Sequence, residues 1–157
     1  MRQPVGKLLL FGATGDLAQR MLLPSLYGLH ADGLLPEGLT ITGTARHDHD
    51  DAGYRAFAKT ALDEHLPADR QDEAAVAGFL DRLHYHAMDA SQVEGFAGLA
   101  EKLGDISGGL AIFLSTAPWL FAPTIKGLES AGLAGSNVRI GLEKPLGNDL
   151  KSSREIN

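Results

Sequence analysis

The 157-residue chain contains no cysteine, which excludes both a disulfide framework and thiol catalysis. It also lacks an excess of basic charge. Fourteen Lys and Arg against 20 Asp and Glu give a net charge of −6, which argues against a broad nucleic-acid surface and leaves room for a local basic site for one phosphorylated ligand. The apolar stretch that follows Met1-Arg2-Gln3-Pro4 is too short for a signal peptide or a membrane span, so the reading is a cytoplasmic protein with no membrane partner. There is no internal repeat and no low-complexity linker, so one domain is sufficient. Two kinds of chemistry are missing their signatures. No Gly-x-Ser-x-Gly elbow supports a serine nucleophile, and no Gly-Lys-Ser/Thr sequence supports a P-loop ATPase.

What remains is ordinary in composition, 44% hydrophobic and 22% charged, and long enough to bury a real core. Its most informative segment is Gly12-Ala13-Thr14-Gly15-Asp16-Leu17-Ala18, directly after the apolar run Leu8-Leu9-Leu10-Phe11. A buried strand that runs into a glycine turn and then a helix presents backbone N–H groups to a phosphate. Gly12 lets the chain turn off the strand, Gly15 leaves space for a pyrophosphate, and Ala18 permits close packing of helix on strand. The spacing is Gly-x-x-Gly-x-x-Ala, a variant of the common Gly-x-Gly-x-x-Gly, and is weak evidence by itself.

Strands are expected at Lys7–Phe11, Leu39–Thr44, Leu83–Met88, Gly109–Ser115 and Val138–Leu142, with helices between them. A helix from Gly15 to His30 should break near Leu23, because Pro24 removes an N–H and clashes with the preceding turn. The next carries Tyr54, Phe57, Ala58, Ala61, Leu62 and His65 on one face. A third runs from Asp69 to Leu80, burying Val76, Phe79 and Leu80. Ser91-x-x-Glu94 reads as a capping box opening a helix with Val93, Phe96, Ala97, Ala100 and Leu103 inward. Pro118 starts a helix carrying Phe121, Ile125 and Leu128, and a last helix opens at Asp149 or Ser152 and is cut off at Asn157. This alternation implies an α/β, Rossmann-like, doubly wound and mainly parallel sheet with helices on both faces. Ligands bind beyond the carboxyl ends of such strands, so Gly12–Ala18, Thr44–Arg46, Ser115–Pro118 and Glu143–Pro145 should converge.

In Gly43-Thr44-Ala45-Arg46 there is no acid to receive the ribose hydroxyls of NAD, and Arg46 offers a planar guanidinium instead. That favours NADP, whose extra 2′-phosphate a guanidinium binds bidentately. Asp16, at the start of the first helix, complements the helix dipole and must point away from a pyrophosphate. Asp48 and Asp50 read as solvated or capping. Lys144 by itself is a surface lysine at a strand end, but at the crevice it can bind a substrate oxygen or phosphate, with Pro145 holding it extended. His47/His49 and His84/His86 form two His-x-His pairs, and with no Cys and no third ligand they give no metal site.

These segments, together with Leu23-Pro24-Ser25-Leu26-Tyr27, Gly33-Leu34-Leu35-Pro36, Leu114-Ser115-Thr116-Ala117-Pro118 and Arg139 to Gly147, resemble glucose-6-phosphate dehydrogenase in content, order and separation. The resemblance implies NADP-linked oxidation of glucose 6-phosphate at C1. Gly12, Thr14, Gly15, Asp16 and Leu17 would line the phosphate site, Arg46 would bind the 2′-phosphate, and Ala117 and Pro118 would lie beside the nicotinamide half. Lys144 would contact the sugar and Pro145 would position it. The whole of 1–157 is then the dinucleotide-binding domain.

Two departures stand out. Met21 replaces a lysine frequent in the family. The family's Arg-Ile-Asp-His-Tyr-Leu-Gly-Lys motif, with its histidine base and substrate phosphate contacts, is absent, as is the large α+β domain through which members associate. None of the six histidines sits in such a context. The expectation is a chain that binds NADP, binds glucose 6-phosphate weakly if at all, and does not turn it over, since no base removes the C1 hydroxyl proton. The alternatives are a glucose–fructose oxidoreductase-like dehydrogenase domain, which also carries Glu-Lys-Pro, and a non-catalytic NADP-sensing module.

Overall fold

The computed structural model describes residues 6–142. Five strands, β1 (Lys7–Phe11), β2 (Thr40–Ala45), β3 (Leu83–Ala87), β4 (Leu110–Leu114) and β5 (Val138–Leu142), form one sheet in the order β3-β2-β1-β4-β5. Every pairing is parallel. The chain winds outward from β1 through β2 to β3, then crosses to β4 on the other side of β1. The strand order therefore reverses between β1 and β4, where a doubly wound sheet opens its crevice.

Period-two alternation sends neighbouring residues of β1 into two different cores. Leu10 joins Ile41, Leu83, Tyr27, Tyr54 and Phe79 beneath α1 (Leu23–Ala31), α2 (Asp51–His65) and α3 (Glu73–Asp81). Leu9 and Phe11 join Leu110, Ile112, Leu114, Phe96, Leu99 and Leu128 beneath α4 (Glu94–Leu103) and α5 (Phe121–Ser130). Burial on both faces is why the central strand reads as a continuous apolar run.

The strands fall where the sequence puts them, within a residue at either end, but four helical details differ. The expected break near Leu23 does not occur. Residues 16–31 are helical throughout, and Ala18–Leu22 form a π-turn in which Leu23 donates its N–H to the Ala18 carbonyl. Widening the turn before Pro24 accommodates its ring without breaking the helix. The third helix begins at Glu73, where the Asp72 carboxylate accepts from the Ala75 N–H, and only a 3₁₀ turn occupies Ala68–Arg70. Ser91 caps nothing, because its hydroxyl and N–H both bond the Asp89 carboxylate. The buried face of α4 is Phe96, Leu99 and Leu103, while Val93 and Ala97 are exposed, as is His65 on α2. Asp50 does cap α2, accepting from the Gly53 N–H at 2.7 Å. The last helix expected at Asp149 or Ser152 lies outside the described residues.

Candidate functional site at the sheet's switch point

The site starts from backbone conformation. Gly12 follows β1 with φ of 76°, a region that disfavours a side chain. A Cβ on Gly12 would lie 2.8 Å from Ser115 Oγ and 3.0 Å from the Ser115 carbonyl. The turn and the end of β4 thus approach too closely for any residue but glycine. The Thr44 carbonyl at the end of β2 accepts from the N–H groups of both Gly12 and Ala13, at 3.0 and 3.2 Å. Gly15 closes the turn by donating to the Gly12 carbonyl at 3.0 Å. The helix that follows opens at residue 16, and the first N–H groups of a helix have no intrahelical acceptor. They face outward at the positive end of its dipole.

A cleft of about 380 Å³ lies over these strand ends. Gly12, Thr14 and Gly15 line it after β1, Thr44–His47 at the end of β2 and just beyond, Met88–Ser91 after β3, and Ser115–Ala117 with Trp119 and Leu120 after β4. Three of the four segments picked from the sequence therefore converge. The fourth, Glu143–Pro145 with Lys144 and Pro145, lies outside the described residues.

Within this cleft Thr14 Oγ1 and His47 Nδ1 are hydrogen-bonded at 2.7 Å, joining the glycine turn to the arginine loop. Arg46 lines the cleft from the end of β2, as does Asp89 from the end of β3. Hydrogen bonds from the Ser91 hydroxyl and N–H, with a smaller contribution from the Arg46 charge, hold the Asp89 carboxyl below its ordinary range. Thr116 Oγ1 is buried with no partner among the described residues, although Thr116 lines the cleft.

Asp16, Leu17 and Pro118 are not among the lining residues. The Asp16 carboxylate is exposed and pairs with Arg20 one turn along at 3.4 Å, so its charge is directed away from the cradle. Met21 is 52% exposed. His84 pairs with Asp51, and His86 faces the Gly95 carbonyl, so the two histidines have separate protein partners.

Sequence reasoning placed Thr116 only within the Ser115–Pro118 segment, and missed His47 as a cleft residue and the Met88–Ser91 segment. The last was within reach, because the rule that selects the carboxyl ends of strands applies equally to β3. His47 carried no such signal, since its bond to Thr14 joins residues 33 apart in the chain.

Fold and site together define an α/β domain of the doubly wound class, with a glycine turn and an arginine lining one cleft at neighbouring strand ends. Residues 9–157 match the family model described as glucose-6-phosphate dehydrogenase, NAD binding domain. The chain belongs to that family, which sets aside the glucose–fructose oxidoreductase-like alternative. It is 52% identical to the glucose-6-phosphate 1-dehydrogenase of Zymomonas mobilis over 157 residues, covering 100% of this chain and 32% of that one. The corresponding enzyme of Mycolicibacterium smegmatis is 39% identical, with 94% of this chain and 31% of the relative covered. The crystal structure of glucose-6-phosphate 1-dehydrogenase from Mycobacterium avium superposes with a TM-score of 0.84 at 32% identity, over 99% of this chain and 33% of that one. This chain thus spans about a third of the length of the curated relatives it matches.

Proposed function

We propose that residues 1–157 are the NADP-binding domain of a glucose-6-phosphate dehydrogenase, and that the chain by itself binds NADP without oxidising glucose 6-phosphate. The observation that carries this reading is the pairing, in one cleft, of the Gly12–Gly15 turn with Arg46. The described residues suit a dinucleotide. Gly12 and Gly15 leave the cradle without side chains, Thr116 offers an unpartnered buried hydroxyl, and Asp16 turns its charge aside.

When bound, NADP supplies the hydride acceptor. The chain's own groups position it. The helix N–H groups at Asp16 and Leu17, with Gly12, Thr14 and Gly15, hold the pyrophosphate. Arg46 takes the 2′-phosphate through charge-assisted bonds. Ala117 and Pro118 flank the nicotinamide half, and Lys144 and Pro145 meet the sugar. The proton of the C1 hydroxyl needs a base. Among the described residues His47 is the one histidine that lines the cleft; it follows Arg46 in the chain and its Nδ1 is bound to Thr14.

Calorimetric titration of NADP and NAD into wild type and Arg46→Ala tests the cofactor assignment. Charge-assisted bonds to phosphate predict a loss of NADP affinity of about 10- to 100-fold with NAD almost unchanged. Equal losses for both cofactors would refute the role of Arg46. Glucose 6-phosphate-dependent NADPH formation by the chain alone would refute the second half of the proposal.

A further inference from the structure

Beneath the cleft, on the α2 side of the sheet, two tyrosine rings stack with centroids 5.0 Å apart and planes inclined by 24°. Tyr54 comes from α2 and Tyr85 from the edge strand β3, and both are buried. Their hydroxyls reach different walls of the cleft. Tyr54 donates to the Ala13 carbonyl at 3.0 Å, inside the glycine turn. Tyr85 shares its hydrogen between the His47 carbonyl at 2.7 Å and the Ala45 carbonyl at 3.1 Å. Those carbonyls flank Arg46, so one phenol holds the backbone on both sides of the guanidinium-bearing residue.

The spacing beneath this pair is set by glycine. A Cβ on Gly43 would lie 2.7 Å from Ala13 Cβ and 3.0 Å from Tyr54 Cζ, so β2 passes between the turn and the ring with no room to spare. His49 packs edge-on against Tyr85 at 5.4 Å and Phe57 stacks on Tyr54 at 5.7 Å, which fixes both rings. Burial pushes the Tyr85 phenol up to about 12, against the opposing pull of its bond to Ala45, so it remains a donor through the physiological range.

We infer that Tyr85 is a positioning residue for cofactor choice: it holds the Ala45–His47 backbone so that Arg46 meets the 2′-phosphate, while Tyr54 holds the glycine turn that serves NADP and NAD alike. The inference rests on the role proposed above for Arg46. Fixing the backbone that carries a charged side chain before the ligand arrives removes part of the ordering cost of binding. Because the carbonyls that Tyr85 holds flank Arg46, its effect should fall on NADP more than on NAD.

The experiment titrates NADP and NAD calorimetrically into wild type, Tyr85→Phe, Tyr54→Phe, Arg46→Ala and the Tyr85→Phe/Arg46→Ala double variant, with thermal midpoints recorded for each. Tyr→Phe keeps the ring stack and deletes one oxygen. Tyr85→Phe should lower the NADP-to-NAD affinity ratio by about three- to tenfold, the range expected for one lost hydrogen-bonding group. Tyr54→Phe should weaken both cofactors by the same factor and leave the ratio unchanged. In the Arg46→Ala background Tyr85→Phe should change the ratio no further. An unchanged ratio in Tyr85→Phe, or an equal shift in Tyr54→Phe, overturns the inference. If Arg46→Ala itself leaves the ratio unchanged, the proposed function fails first. If Arg46→Ala lowers it and Tyr85→Phe does not, the Tyr85 inference fails alone.

Discussion

Asp51 should lend the fold a pH-dependent stability of known sign. It is the first residue of α2, where an acid complements the helix dipole. Its carboxylate ties three elements together: Oδ2 to His84 Nδ1 on β3 at 2.9 Å, and Oδ1 to Lys102 Nζ on α4 at 2.9 Å and to the Tyr85 N–H at 2.8 Å. Burial alone would raise its pKa. The bonds from His84, Lys102 and the Tyr85 N–H outweigh that and hold it at about 2, against an ordinary 3.8. That gap corresponds to about 2 kcal/mol of folding free energy. Because the folded value is depressed, the contribution is complete above the unfolded value and fades as pH falls from 3.8 toward 2. Urea unfolding of wild type and Asp51→Asn, from about pH 7 down to about pH 2.5, measures it. Asp51→Asn should be less stable by about 2 kcal/mol at neutral pH, and the difference should shrink steadily through the acid end. A penalty that stays constant across the range, or grows in acid, would show that the carboxylate charge is not what its three partners hold.

Other consequences concern glycines that touch neighbours. A Cβ on Gly127 would sit 2.3 Å from a ring carbon of the buried Phe96. Gly127→Ala should therefore destabilise by about 1–3 kcal/mol in thermal or urea unfolding while leaving the NADP-to-NAD affinity ratio unchanged, since the contact lies between α5 and α4. Gly12→Ala meets both a positive φ and Ser115 Oγ at 2.8 Å. It should lower stability by about 1–2 kcal/mol and weaken NADP and NAD together, because the turn serves the part they share.

Much of this domain was legible because its central strands are buried on both faces. The run Leu8 to Phe11 has to be an interior strand, and Gly12 and Gly15 after it have to be a turn. Parallel winding then follows from the helices in between. Local chemistry was less decisive. Ser91 and Glu94 have capping-box spacing, but the Asp89 carboxylate takes both Ser91 donors two residues earlier. Pro24 carries a helix-breaking signal that a single π-turn absorbs, because packing of Leu23 and Tyr27 in the core holds the helix on course.

The sequence by itself determined the mainly parallel sheet and the presence of a glycine turn and an arginine at the carboxyl ends of its strands, because hydrophobic period and glycine conformation are local properties of the chain. Only the tertiary structure decided how those two walls are held. The Thr14–His47 bond joins residues 33 apart in sequence, and the stacked Tyr54 and Tyr85 lie 31 apart. Their meeting depends on strand register and side-chain direction, which no periodicity along the chain records.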